Sequence, residues 1–151
     1  MKEINFYCIE EDINPFLYTF LSKIIANNKK AIIYSDNEEK MKKLDDTLWT
    51  MKKTDFLPHL LYTDKGAEDT PILLSNTKEN EYNANYLLIS SYLNDTEFLN
   101  KFEKIFYIFT PSNKISLKEK EKAYNEYKKD YSIKTLKKDN NGKWVEEKNY
   151  N

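Results

Sequence analysis

LDDTLWTMKKTDFLPH, residues 44–59, is the stretch from which the fold is read. Met41, Leu44, Leu48 and Trp49 fall at i, i+3, i+7 and i+8, so they line one face of a helix that ends near Trp49. A stripe of that width has to lie on other apolar surface, and a sheet is the expected support. A polar run, residues 50–55, separates the helix from Phe56 and Leu57. Pro58 cannot continue a helix and biases Leu57 toward an extended backbone. The large apolar side chains therefore sit on a stiff loop that also carries His59, the one histidine of the chain. Two readings fit such a loop: aromatics that cap a core, and aromatics that meet a partner.

Upstream, residues 4–9 form a nearly continuous apolar run bounded by acids, the pattern of a strand buried on both faces. Asn14 and Pro15 supply a cap and a first helical residue, after which Phe16, Leu17, Phe20, Leu21, Ile24 and Ile25 recur at helical spacing. Asn27 and Asn28 end that helix, and residues 31–34 make a second apolar strand. Asp36 with Glu39 reads as a capping box for the helix that reaches Trp49.

Downstream, strands are expected at residues 60–62, 71–74, 86–89 and 105–109, with polar connections at 63–70 and 76–85 and a short helix at 96–102. Ser116 and Glu119 form an S-x-x-E cap for a helix from 117 to about 130. Its Leu117, Tyr124, Tyr127 and Tyr131 lie near one face, and the opposite flank is rich in lysine. A strand at 133–137 follows, and Asn141-Gly142 is a hairpin turn leading to Trp144 and Val145. Alternating strands and helices predict an α/β fold. Its mostly parallel twisted sheet carries helices on both faces, Rossmann-like in its three layers and lacking a glycine-rich phosphate loop. Residues 1–151 are expected to form a single domain, with 139–151 as a C-terminal hairpin and tail.

Composition narrows the function. Apolar residues make up 40% and aromatics 15%, enough for a core without metal or disulfide support. The 24 basic residues are all lysine and are balanced by 25 acids, so a broad nucleic-acid-binding surface is not expected and bidentate guanidinium readout is unavailable. Cys8, the one cysteine, lies in an apolar run and reads as a buried small hydrophobe in a reducing, cytoplasmic protein. No run has the length of a membrane span.

Catalysis finds little support. The loop after the first strand, Glu10-Glu11-Asp12, offers a phosphate three carboxylates and no glycine. One histidine and one cysteine rule out Cys/His zinc sites. Asp36, Asp45, Asp46 and His59 remain as candidates for a degenerate nucleotide-binding or metal-dependent enzyme, although Asp45 and Asp46 are adjacent and point apart. No G-x-S-x-G elbow accompanies His59. A binding module without cofactor is the expectation.

The block L-D-x-x-L-W, six residues, then F-x-P-H, here Leu44, Asp45, Leu48, Trp49, Phe56, Pro58 and His59, resembles the signature of the chi subunit of bacterial DNA polymerase III. A strand with Asn5, Phe6 and Tyr7, and a late helix with Tyr124 and Tyr127 as Y-x-x-Y, fall in the family's order. The resemblance covers essentially the whole chain. It implies a non-catalytic accessory subunit that links the clamp loader, through the psi subunit, to the C-terminal tail of single-stranded-DNA-binding protein, and that reaches nucleic acid only indirectly.

By the same resemblance, psi would meet Asp45, Leu48, Trp49, Phe56, Leu57, Pro58 and His59. Asp45 either orients the indole or loop, or is a plain helix-surface acid. The tail, an acidic peptide ending in a hydrophobic residue, would meet Lys118, Lys122, Tyr124 and Tyr127. The family's helix typically bears arginine, whereas this one reads KEKEKAYNEYKK. Aligned on its tyrosines, it places Glu121 where a basic residue is expected and Lys122 one step on, so weaker or differently arranged tail binding follows. A helicase as partner of the aromatic surface, and weak self-association through it, remain open.

Overall fold

The computed structural model describes residues 2–10, 12–50, 58–66 and 69–147. In chain order its elements are β1 (Glu3–Cys8), α1 (Ile13–Ala26), β2 (Ala31–Tyr34), α2 (Glu38–Thr50), β3 (His59–Leu61), β4 (Ile72–Ser75), β5 (Tyr86–Ile89), α3 (Thr96–Leu99), β6 (Lys104–Phe109), α4 (Lys114–Tyr127), β7 (Ser132–Lys138) and β8 (Trp144–Glu146). The eight strands form one sheet in the order β3-β4-β2-β5-β6-β1-β7-β8. Every pairing is parallel except the closing β7–β8 hairpin, whose turn places Gly142 at a φ of +77° that a side chain would strain.

Alternation along the strands divides the core between two faces. Ile4, Phe6 and Cys8 of β1 pack with Phe98 and Leu99 of α3 and with Ala123 and Tyr127 of α4. On the other face, Ala31, Ile72, Leu88 and Phe106 pack with Leu17, Leu21 and Ile24 of α1 and with Met41 and Leu48 of α2. The molecule is thus the expected α/β structure, with α1 and α2 on one face of a mostly parallel sheet and α3 and α4 on the other. Tyr7 faces α1 and meets Phe16, Phe20 and Trp144 at ring separations of 5.5, 5.4 and 5.1 Å, which fastens the C-terminal hairpin to the front of the sheet.

Helix starts differ from the sequence reading by one to three residues. Asp12, not Asn14, caps α1: its carboxylate accepts from the Asn14 N–H at 3.1 Å, and Pro15 falls inside the first turn, where its missing N–H costs nothing. Asn37 replaces Asp36 at α2, accepting from the Lys40 N–H at 3.1 Å. Asn113 replaces Ser116 at α4, taking the N–H groups of Ile115 and Ser116 at 3.0 Å each. Ser116 instead accepts from the Thr110 N–H at 2.9 Å and ties α4 to the end of β6. A cap is chosen by where the incoming strand releases the chain, which nearby sequence alone does not fix. Among the described residues, no helix is long and apolar enough to cross a membrane.

Candidate functional site

The end of α2 lies against β3, the edge strand of the sheet. His59, first residue of β3, is buried, in register with Ile72 of β4. Two α2 residues one turn apart hold its imidazole. Asp45 Oδ1 lies 3.2 Å from His59 Nε2, and the Trp49 indole lies 4.8 Å from the imidazole, ring centre to ring centre, tilted by 52°. Leu48, between them in sequence, turns inward and is 4% exposed, whereas Trp49 is 47% exposed.

This packing gives Asp45, Leu48, Trp49, Pro58 and His59 a position. Trp49 offers open indole surface, Pro58 is half-buried at the entry to β3, and Leu48 and His59 support the surface from beneath. Asp45 stands against His59, beside the ring that meets the indole. Phe56 and Leu57 lie outside the described residues. Asp36 and Asp46 are exposed, and among the described residues no group of three His, Cys, Asp or Glu side chains stands close enough to hold a metal ion.

The second surface is on the opposite face, along α4. Lys118 and Lys122 are exposed, as predicted for a cationic flank, and the Lys122 ammonium lies 5.4 Å from the centre of the Tyr92 ring. Glu119 holds that segment to the helix by accepting from the Tyr92 N–H at 3.3 Å. Ile115, 74% exposed, stands three and seven residues before the two lysines and shares their stripe. Sequence reading passed over Ile115 and Tyr92. The i, i+3, i+7 spacing of Ile115 was available as a signal, whereas Tyr92 comes from a different loop.

The two tyrosines of Y-x-x-Y have other surroundings. Tyr127 is buried, its hydroxyl donating to the Leu93 carbonyl at 2.9 Å and accepting from the Leu93 N–H at 2.8 Å. Burial holds that phenol far above its usual range. Tyr124 is half-buried, edge-on to Phe6 at 6.1 Å, with the ammonium groups of Lys120 and Lys128 at 5.1 and 5.7 Å from its ring. Lys120, which the sequence reading did not single out, is 1% exposed and also reaches over Phe109 at 5.1 Å. Burial brings its amine down to about 8.

A family model described as DNA polymerase III chi subunit, HolC, matches residues 1–134, from β1 into β7. Among curated proteins none matches the chain.

Proposed function

The chain belongs to the DNA polymerase III chi subunit family, and from that premise we propose that it serves replication as a non-catalytic linker with two independent docking surfaces. The observation that carries this reading is their separation. The Trp49 surface stands on the α2 side of the sheet and the Ile115–Lys118–Lys122 stripe on the α4 side, so two partners can be held without competing. Joining two sites in one rigid body raises the local concentration of whatever the second one holds, and no catalytic group is needed.

The α2 surface suits a permanent partner, the psi subunit of the clamp loader. A half-exposed indole fixed against a buried imidazole presents a large apolar area with little side-chain entropy left to lose. The α4 surface suits a mobile acidic tail ending in a hydrophobic residue, such as that of single-stranded-DNA-binding protein. Ile115 and Tyr92 offer apolar contact and the lysines offer charge. Tyr124 and Tyr127 act from below by fixing the helix. Single lysines make no bidentate fork, so each contact is weak, and many tails along coated DNA would supply the avidity.

Calorimetric titration with an acidic peptide ending in Pro-Phe tests the reading. The expected result is binding of roughly micromolar strength that weakens with salt and with Lys118→Ala plus Lys122→Ala, and that Trp49→Ala leaves unchanged. No binding would refute the tail-receptor role. Loss of peptide affinity in Trp49→Ala would refute independence of the two surfaces.

A further inference from the structure

The two surfaces leave a third feature unused, a cleft of about 350 Å³ between α1 and α2 at the carboxyl ends of the strands. Its origin is topological. α1 starts from β1 and α2 from β2, which stand three places apart in the sheet. Three strand spacings are about 14 Å, whereas packed helices approach to roughly 8–10 Å. The helices therefore begin too far apart to touch, and the sheet between their first turns stays open. Ile33, Leu88 and Ile108, from the adjacent strands β2, β5 and β6, form the floor, with Leu17 and Leu44 on the two walls.

The charged side chains that line this cleft are cationic, while Asp36 and Asp95 stand near enough to Tyr34 at its rim to act on that phenol. Among the described residues, Lys40 and Lys43 on α2 are the only charged residues lining it, both are exposed, and neither is ion-paired. Clefts of this size with an apolar interior and a few polar groups at the rim, at the carboxyl ends of an α/β sheet, are where small ligands bind. An apolar interior favours a hydrocarbon chain, and two lysines at the mouth favour a single anionic head. We propose that the cleft between α1 and α2 binds an anionic amphiphile of the medium-chain fatty-acid type. Its chain lies along Ile33, Leu88 and Ile108, and its carboxylate lies at Lys40 and Lys43.

Titration of the full chain with laurate below its micellar range, with dodecyl maltoside as the neutral counterpart, tests this. One saturable laurate site is expected, weakened about tenfold by Lys40→Glu plus Lys43→Glu. Leu44→Trp, which fills the cleft, should abolish binding, with circular dichroism confirming that the variant folds. The surface lysine variant gives an answer even if the filled one does not fold. The proposal is overturned by absence of a saturable site, by laurate binding that ignores the lysine reversals, or by equal binding of the maltoside. Displacement of laurate by an acidic phenylalanine-ended peptide would overturn it too, by giving the cleft to a protein segment.

Discussion

The end of α2 and the outer stripe of α4 both present apolar surface beside charge, yet they are built in opposite ways. At α2 the polar groups are withdrawn: His59 is buried, Asp45 stands against it, and the exposed group is an indole packed on that imidazole. At α4 the outer charges, Lys118 and Lys122, are exposed, the buried groups lie underneath, and Ile115 stands 74% exposed beside them. The first arrangement couples the proposed docking surface to the core, so damage to one is damage to the other. The second rides on the core from outside, and the binding proposed for it would be electrostatic, adjustable and sensitive to salt.

The largest effect should come from His59→Ala. Removing a buried imidazole leaves a cavity at the sheet edge and deprives Asp45 of its neighbour, at a cost of about 3 kcal/mol. Urea denaturation measures the loss, and Trp49 emission should shift to the red as the indole loses its support. A loss below about 1 kcal/mol would mean that the surface is not coupled to the core.

Tyr127→Phe, under the α4 stripe, should cost about 2 kcal/mol, because both the N–H and the carbonyl of Leu93 lose their hydroxyl partner in a buried place. The same variant should leave tail-peptide affinity within about twofold in calorimetry if Tyr127 works only from below.

How much of this was legible in sequence depends on distance along the chain. β2 and β5 were read to the residue, because four-residue apolar runs between polar neighbours leave a buried strand little freedom. Trp49 at the end of an amphipathic helix was legible for the same reason. Asp45 and His59 are fourteen positions apart, and their contact exists only because β3 returns along the edge of the sheet to the helix. Lys120 was passed over, although it stands three residues after Leu117 and four before Tyr124 on the apolar face, because a lysine adds nothing to an apolar periodicity; Phe109 at the end of β6 and Tyr124 of α4 lie against its ammonium. The cleft was illegible altogether, since it follows from strand order.

Lys120 supplies the next test, with a definite sign. Its amine is at about 8 in the folded protein against an ordinary 10.5, lowered by burial. The folded state therefore gives up this proton first, and stability rises as pH climbs through 8 toward 10.5. Cys8, pushed up to about 11 by burial and then by Glu10, acts oppositely above 9, so the rising limb shows between pH 8 and 9. Lys120→Met should be more stable than the parent by about 1 kcal/mol at pH 7.5, the advantage shrinking by most of that amount at pH 9. An advantage that is independent of pH would show that packing, not charge, is responsible.

The smallest effect should be that of Lys118→Ala with Lys122→Ala on stability, within about 0.5 kcal/mol of zero by urea denaturation. The two ammonium groups are four residues apart on one face, so their removal relieves mutual repulsion while giving up the contact of Lys122 with Tyr92. Each of these is worth a few tenths of a kcal/mol at an exposed site, and they oppose each other. A near-zero change in stability beside a clear loss of peptide affinity would establish the α4 stripe as a surface mounted on the fold. A destabilisation above about 1 kcal/mol would make the lysines part of the architecture, and the contrast with His59 would disappear.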